Sequence, residues 1–568
     1  MLQITQKIAT FAYINHTKMK NILKSIAIIA LMFIASGSAN AQKHNFELIK
    51  NNNIFNSILK ELSLFYVDSI DAEKIITKGI NSMLYSLDPY TTYIPKSEEQ
   101  DLKFMTTGEY AGVGALISQR DSLIQITSIY EGNPAQKDGM KVGDRILEIN
   151  GESMVGKDNN FVSDHLRGKA NTLAVIKVMR PMVDSVVTLN VTRKKIYIPA
   201  VSYYGATRED VGYIYISSFN TNTASEVKSA LLDLKKNHNI KSLVIDLRGN
   251  PGGLLNEAIG VINLFIPKGK TVLETRGRHK ELEATYKTSQ TPVDTEIPLA
   301  ILIDDESASA SEIVAGAFQD LDRAVIVGNR SFGKGLVQST RPLPYDGTLK
   351  ITTAKYYIPS GRLIQAIDYS NRGNDGSNTR IPDSLTTEFK TAAGRIVRDG
   401  GGITPDVEYK FPKQGNILYY LGVKYQLFDY ATKYAASHSE IAPANEFSLT
   451  DEEYEEFKEQ LKATNFTYDR ESLKLLEKLK AVAEFEGYID VAGETIAMLE
   501  KQLEHNLDKD LEEFKKEIKS ELEMNIVERY YYKKGVMSRG VEEDECINQA
   551  IEILKDPIQY KKILSPKK

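Results

Sequence analysis

Ser242-Leu243-Val244-Ile245-Asp246 is a short apolar run closed by an acid. Leu247-Arg248-Gly249-Asn250-Pro251-Gly252-Gly253 follows it, and apolar residues at helical spacing continue from Leu254 to Phe265. Such a run, too short for a helix and bounded by turn residues, reads as a strand buried on both faces. The same alternation extends to either side. Val211–Ile216, Leu299–Ile303 and Ala324–Val327 read as strands, and Ala224–Lys236 and Ser311–Gln319 as helices. Strands alternating with helices imply a mainly parallel sheet covered by helices, so the central part of the chain is α/β.

Outward from this centre the pattern changes. Residues from about 45 to 107 read as helical, with Ile54, Ile58, Leu62 and Phe65 at helical spacing. From Gly108 to about Lys195 the chain reads as short strands joined by glycine-rich turns, and residues from about 450 to 555 are helical and rich in Glu, Lys and Leu. That last part reads as a solvated helical scaffold or an oligomer contact. The 568 residues suit three or four folded units, and 42% hydrophobic with 26% charged residues is ordinary globular usage. A net charge of -5 gives no electrostatic case for nucleic acid or an anionic membrane as the main partner. One cysteine, Cys546, excludes an internal disulfide framework, and the seven scattered histidines show no ligand spacing, so no metal or cofactor is expected. Lys18, Lys20 and Lys24 precede the apolar run Ile26–Ala35 and the small residues ending Ala39-Asn40-Ala41. This is the layout of a secretory signal peptide cleaved after Ala41, with Met19 the better start; ten apolar residues fall short of the roughly 20 that span a bilayer. A periplasmic or secreted protein is expected.

Three stretches carry chemistry. Gly112-Val113-Gly114-Ala115, followed by Gly132-Asn133-Pro134-Ala135 and by Gly143-Asp144-Arg145-Ile146-Leu147-Glu148-Ile149-Asn150-Gly151, resembles a PDZ domain in circularly permuted form. A Gly-x-Gly turn can aim backbone N–H groups at a peptide's terminal carboxylate while the adjoining strand edge pairs with the peptide. Second, Ser307-Ala308-Ser309-Ala310-Ser311-Glu312 lies between a strand and a helix. Ser309 to Glu312 is a Ser-x-x-Glu capping box, yet a serine at a helix N-terminus also has free N–H groups and the positive dipole end beside it. Third, a serine nucleophile needs a base, and neither His238 nor His279 sits at a buried strand end. Lys334, in Ser331-Phe332-Gly333-Lys334-Gly335-Leu336-Val337-Gln338, is the other candidate. Burial must bring its amine down from about 10.4 towards 7, on the order of 4 kcal/mol. Phe332, Leu336 and Val337 can wall such a pocket, and Gln338 can orient the amine. Gly328 to Lys334 also matches Gly-x4-Gly-Lys, but Gly335 stands where a phosphate-binding loop needs Ser or Thr, and a strand-like segment follows instead of a helix.

Leu87-Asp88-Pro89, the PDZ-like module, Asp246 to Gly253, Ser307 to Glu312, Phe332 to Gly335 and Gly402-Ile403-Thr404-Pro405-Asp406 occur in the order of the C-terminal processing (tail-specific) serine proteases, which the chain resembles from about 45 to 410. The resemblance implies a Ser–Lys dyad assisted by Gln: Ser309 as nucleophile, Lys334 25 positions later as general base, Gln338 as orienting residue. It places the oxyanion hole at the N–H of Ala310 with Gly252 or Gly253, and peptide binding at Gly112, Val113, Gly114 and Ala115. Asp320 matches a position of functional weight, although a structural ion pair explains it as well. The implied layout is multidomain: a signal peptide (1–41), a helical N-terminal region (42–107), a permuted PDZ domain (108–195), a mainly parallel α/β protease core (196–410) and a helical C-terminal domain (411–568). The partners implied are proteins or peptides with free C-termini. A polar insert of about 35 residues after Gln365 departs from shorter members, as does the long helical end. The rival reading is a non-catalytic PDZ adaptor that presents tails to a partner.

Overall fold

A computed structural model describes residues 45–566 apart from 182, 184, 208–209, 373–377, 411–414 and 504–505, and without the side chains of 370–372 and 378–379. The expected signal peptide therefore lies outside the described residues. The chain forms two compact units, one ending at Ser86 and one spanning Leu87–Lys568. The first contributes a helix over 45–65 and another over Ala72–Tyr85, the latter opened by the Asp71 carboxylate accepting the Lys74 N–H at 3.0 Å. Ile54, Ile58 and Phe65 lie on the first of these helices, as their spacing implies, but they are exposed rather than packed.

The second unit is built on a six-stranded sheet in the order Val201–Ala206, Val211–Ile216, Ser242–Asp246, Leu299–Ile303, Val325–Gly328 and Val407–Glu408. The first pair is antiparallel and the rest are parallel, with Val211 opposite Ser242, Leu243 opposite Leu299 and Ala300 opposite Val325. Because side chains alternate across a strand, each central strand feeds two cores. Ile214, Leu243, Ile245, Ile301 and Ile303 face the helices Thr223–Asn237, Leu255–Asn263 and Ala310–Asp320. Tyr213, Val244, Ala300, Leu302 and Val327 face the far C-terminal helix Glu545–Lys555 through Ile547, Ala550 and Ile551. Each such aliphatic side chain, removed from water, contributes about 1.5–3 kcal/mol. The end of the helical C-terminal region thus covers the second face of the sheet.

Ahead of this core lies a module whose strands run in the order Ala115–Arg120, Leu123–Ile129, Arg145–Ile149, Leu173–Arg180, Ser185–Thr192. Ala115–Arg120 is an edge strand, and helix Asn159–Leu166 packs beside it. Helices between 416 and 543 form a separate core around Leu421, Tyr430, Phe457, Leu522 and Ile526. They grip the strand module through a two-pronged Arg120–Asp429 pair (2.6 and 2.7 Å) and a Ser128–Glu528 hydrogen bond (2.7 Å). The polar stretch after Gln365 is not a plain loop: it contains the hairpins Ile367–Arg372/Asn378–Arg380 and Glu388–Lys390/Ile396–Arg398.

Candidate active site

Three loops leave the carboxyl ends of adjacent parallel strands: 247–254 after Ser242–Asp246, 304–309 after Leu299–Ile303, and 329–335 after Val325–Gly328. The first two interlock. Ser307 Oγ donates to the Leu247 carbonyl (2.8 Å), and the Asn250 carbonyl accepts from the Ala308 N–H (3.0 Å) and from Ser311 Oγ (2.9 Å). Ser309 is the residue before the helix Ala310–Asp320 and sits at φ 54°, ψ -110°. A non-glycine residue there stores on the order of 1–3 kcal/mol and is held by its surroundings.

Those surroundings centre on Glu312. Its carboxylate is fully buried and accepts four hydrogen bonds: Ser331 Oγ–H (2.5 Å) and Gly333 N–H (2.7 Å) at Oε1, Lys334 N–H (2.8 Å) and Ser309 N–H (2.9 Å) at Oε2. One side chain therefore pins the Ser309 turn to the Lys334 loop. Burial pushes its carboxyl up to about 7, against those four donors. Tyr356, also buried, adds a second staple: its hydroxyl donates to the Lys334 carbonyl and lies 3.1 Å from that of Ser309. The same bonds dispose of the Gly-x4-Gly-Lys reading. The Gly333 and Lys334 N–H groups that would meet a phosphate are committed to Glu312, and the strand Leu336–Pro342 follows.

The Lys334 amine lies 4.1 Å from the centroid of the Tyr90 ring. Burial is the main cause that lowers it to about 8; the Lys350 charge lowers it further, while Glu312 and Asp88 oppose. At pH 7 about a tenth of the amines are neutral, within reach of a general base. Ser309 and Lys334 come from loops locked together, but among the described residues no hydrogen bond joins the Ser309 hydroxyl to the Lys334 amine. Among the described residues no hydrogen bond joins Gln338 to the amine; its side-chain N–H donates to Thr352 Oγ1 at 3.2 Å. Leu336 and Val337 pack against the core, and the aromatic group against the amine is Tyr90. His238 and His279 are exposed.

Ala310 is buried at the first turn of its helix. Gly252 cannot donate to an oxyanion in this arrangement, because its N–H is spent on Asn250 Oδ1 at 2.8 Å. Its own carbonyl and the Leu254 N–H both bond to Phe219, which turns the Gly253 N–H to the opposite side. Gly252 is instead required sterically: a Cβ would fall 2.8 Å from Ser309 Cβ. In the strand module, Gly112 ends a strand paired with Lys194–Tyr197, Val113 is a buried core residue, Gly114 turns at φ 85°, and Ala115 opens the edge strand. Asp320 is paired with the buried Arg362 (2.9 Å) and accepts the Ser360 N–H (2.9 Å), so its place is structural. Glu312, Tyr356 and Tyr90 are the residues sequence reasoning missed as parts of the site. Glu312 lay inside a stretch already singled out, and Tyr90 directly follows another, Leu87-Asp88-Pro89. Among the described residues no group of three or more His, Cys, Asp or Glu is placed to hold a metal ion, and no helix is long and apolar enough to cross a membrane.

A serine at a strained helix start, a buried lysine of lowered proton affinity on the neighbouring loop and an edge-strand module ahead of them define a serine peptidase class. Family comparison agrees. Residues 210–370 match peptidase family S41, 101–178 match the PDZ domain, and 417–554 match the C-terminal helical domain of a probable PDZ-protease. The chain is 38% identical over 316 residues to a carboxy-terminal-processing protease of Bartonella bacilliformis, covering 55% of this chain and 72% of that one. It is 34% identical over 344 residues to a probable CtpA-like serine protease of Staphylococcus aureus, covering 60% and 67%. Among solved structures, the photosystem II D1 C-terminal processing protease is 25% identical, with a TM-score of 0.34 over 63% of this chain and 92% of that one. The chain belongs to the carboxy-terminal-processing serine proteases of family S41, and carries a PDZ domain followed by the protease domain and a helical C-terminal region.

Proposed function

We propose an exported endopeptidase that holds the free C-terminal tail of a protein substrate on its PDZ domain and cleaves the chain by Ser309–Lys334 acyl-enzyme chemistry. The observation that carries this reading is the Glu312 carboxylate, bonded at once to the Ser309 and Lys334 N–H groups at 2.9 and 2.8 Å. A nucleophile and a base on separate loops need such a common anchor. Ser309 attacks the scissile carbonyl as neutral Lys334 takes its proton. The tetrahedral oxyanion is met by the N–H groups of Ala310 and Gly253, and the ammonium returns its proton to the leaving amine. For Lys334 to act, its side chain leaves the Tyr90 ring. Gln338 enters this scheme through Thr352 rather than through the amine.

The unpaired side of the edge strand Ala115–Arg120, flanked by helix Asn159–Leu166, suits an added peptide strand, with the turn at Gly112–Ala115 beside its terminal carboxylate. The strand order of this module favours the permuted PDZ form. The basic and apolar N-terminal stretch supports export and a periplasmic or secreted location. A fluorogenic peptide ending in a free apolar C-terminus, offered to wild type, Ser309→Ala and Lys334→Ala, tests the chemistry. Turnover is expected in wild type alone, and equal turnover in all three removes the dyad. An amidated C-terminus should weaken KM; unchanged cleavage would remove the PDZ role.

A further inference from the structure

Tyr90 is held from several sides. The Asp88 Oδ1 accepts the N–H groups of Tyr90 and Thr91, each at 2.8 Å, and Oδ2 accepts Thr91 Oγ1 at 3.0 Å. Thr91 Oγ1 accepts the Thr352 N–H at 3.2 Å, which ties this turn to the strand beneath Gln338. At its far end the Tyr90 hydroxyl lies 3.0 Å from that of Tyr369, the two rings meeting edge to face at 5.9 Å. The ring is thus fixed, and its face receives the Lys334 amine at 4.1 Å while Ser309 and Lys334 are not hydrogen-bonded. An aromatic face attracts an ammonium and offers little to a neutral amine. We propose that Tyr90 is a positioning residue whose ring is the resting seat of the Lys334 side chain, from which the base must depart to reach Ser309.

This rests on Lys334 as the base. The charges that face its amine are Lys350, which favours the neutral form, and Glu312 and Asp88, which favour the charged form. The ring adds to the second group, and behind it stands the Tyr369 hydroxyl. Removing the ring therefore shifts the balance towards the neutral amine and frees the side chain. Replacing Tyr by Phe keeps the face and loses only the hydroxyl contact.

The test uses the full chain carrying Tyr90→Phe, Tyr90→Leu and Tyr90→Met, with Lys334→Ala as control, assayed for kcat and KM on the fluorogenic peptide between pH 6 and 10. Thermal melting of each variant runs alongside. Tyr90→Leu is expected to move the rising limb of kcat/KM down by about 0.5–1.5 pH units, with KM within about twofold. Tyr90→Phe is expected to keep the wild-type midpoint. Tyr90→Met, ring-free but of similar bulk, decides the matter if the leucine variant melts early. A ring-free variant that melts normally and keeps the wild-type midpoint overturns the proposal, as does a phenylalanine variant that shifts as far as the leucine one. Activity surviving in Lys334→Ala is a different failure: it removes the base itself.

Discussion

Gly252→Ala is a small change whose consequence can be worked from distances. Gly252 sits at φ +101°, and a Cβ there would lie 2.7 Å from the Ala308 carbonyl oxygen, 2.8 Å from Ser309 Cβ and 2.9 Å from the Ala310 nitrogen. An alanine at such a φ costs about 1–2 kcal/mol on its own. The contacts cost more, because carbon atoms prefer about 3.5–4.0 Å and all three neighbours are backbone or a Cβ, none the end of a flexible side chain. The loops must part by roughly 0.7 Å, and the atoms displaced belong to Ser309 and the Ala310 N–H, the proposed nucleophile and oxyanion donor. A misplacement of that order costs about 10²-fold in rate, near 2.7 kcal/mol of barrier. The expected result is a kcat about 100-fold lower, KM within a few-fold and slowed labelling of Ser309 by a fluorophosphonate. Gly249→Ala is the control. It has φ +66° but meets only ordinary contacts, 3.7 Å to Glu306 Oε2 and 3.8 Å to the Tyr215 hydroxyl. It should lower the melting temperature and leave kcat near wild type. A Gly252→Ala enzyme with wild-type kcat, or a control that loses as much, would refute the reasoning.

Lys350→Met removes a positive charge that holds the Lys334 amine down, so the amine gains proton affinity and the rising limb of kcat/KM moves to higher pH. Activity at pH 7 should fall while the plateau near pH 10 stays, and a pH profile checks both. Glu312→Gln turns one acceptor oxygen into an NH₂ facing two donors, leaving buried N–H or O–H groups unpaired at about 1–3 kcal/mol each. A lower melting temperature and a kcat reduced more than tenfold are expected in the same variant. Asp320→Ala strands the buried Arg362 charge at about 3–5 kcal/mol. Denaturant melts should show that loss, while turnover per titrated active site in the surviving fold should stay close to wild type.

The sequence made the sheet legible because its strands are apolar on both faces: Ser242–Asp246 and Leu299–Ile303 were bounded to the residue. Helix ends shifted by one or two positions, as at Leu255–Asn263, where caps rather than periodicity set the limits. Glu312 was visible only as a helix cap, because its other three partners lie 19 to 22 residues further on and leave no local trace. Tyr356 is harder still, since a buried strand tyrosine is indistinguishable from any other until the loops above it are placed. The choice between Gly252 and Gly253 needed the direction of one peptide, which composition does not encode. The stripe Ile54, Ile58 and Phe65 had the spacing of a packed face without the packing. Periodicity reports amphipathicity, not what covers it.

The parallel sheet explains why residues 25 positions apart can act as one site. Loops leaving the carboxyl ends of neighbouring parallel strands emerge side by side, whatever helix intervenes. Leu299–Ile303 and Val325–Gly328 are neighbours, so the Ser309 turn and the Lys334 loop are adjacent by topology before any side chain contributes. Glu312 and Tyr356 then fix the two backbones, and Asn250 fixes the third loop against them. Among the described residues, no hydrogen bond anchors the Lys334 amine in the same way. Ser309, the proposed nucleophile, is held at a strained φ and Gly252 leaves no slack beside it, whereas the Lys334 amine rests on a ring rather than on its proposed partner. On the proposed reading of Lys334 as the base, this arrangement is a folded enzyme whose base is not yet at its nucleophile.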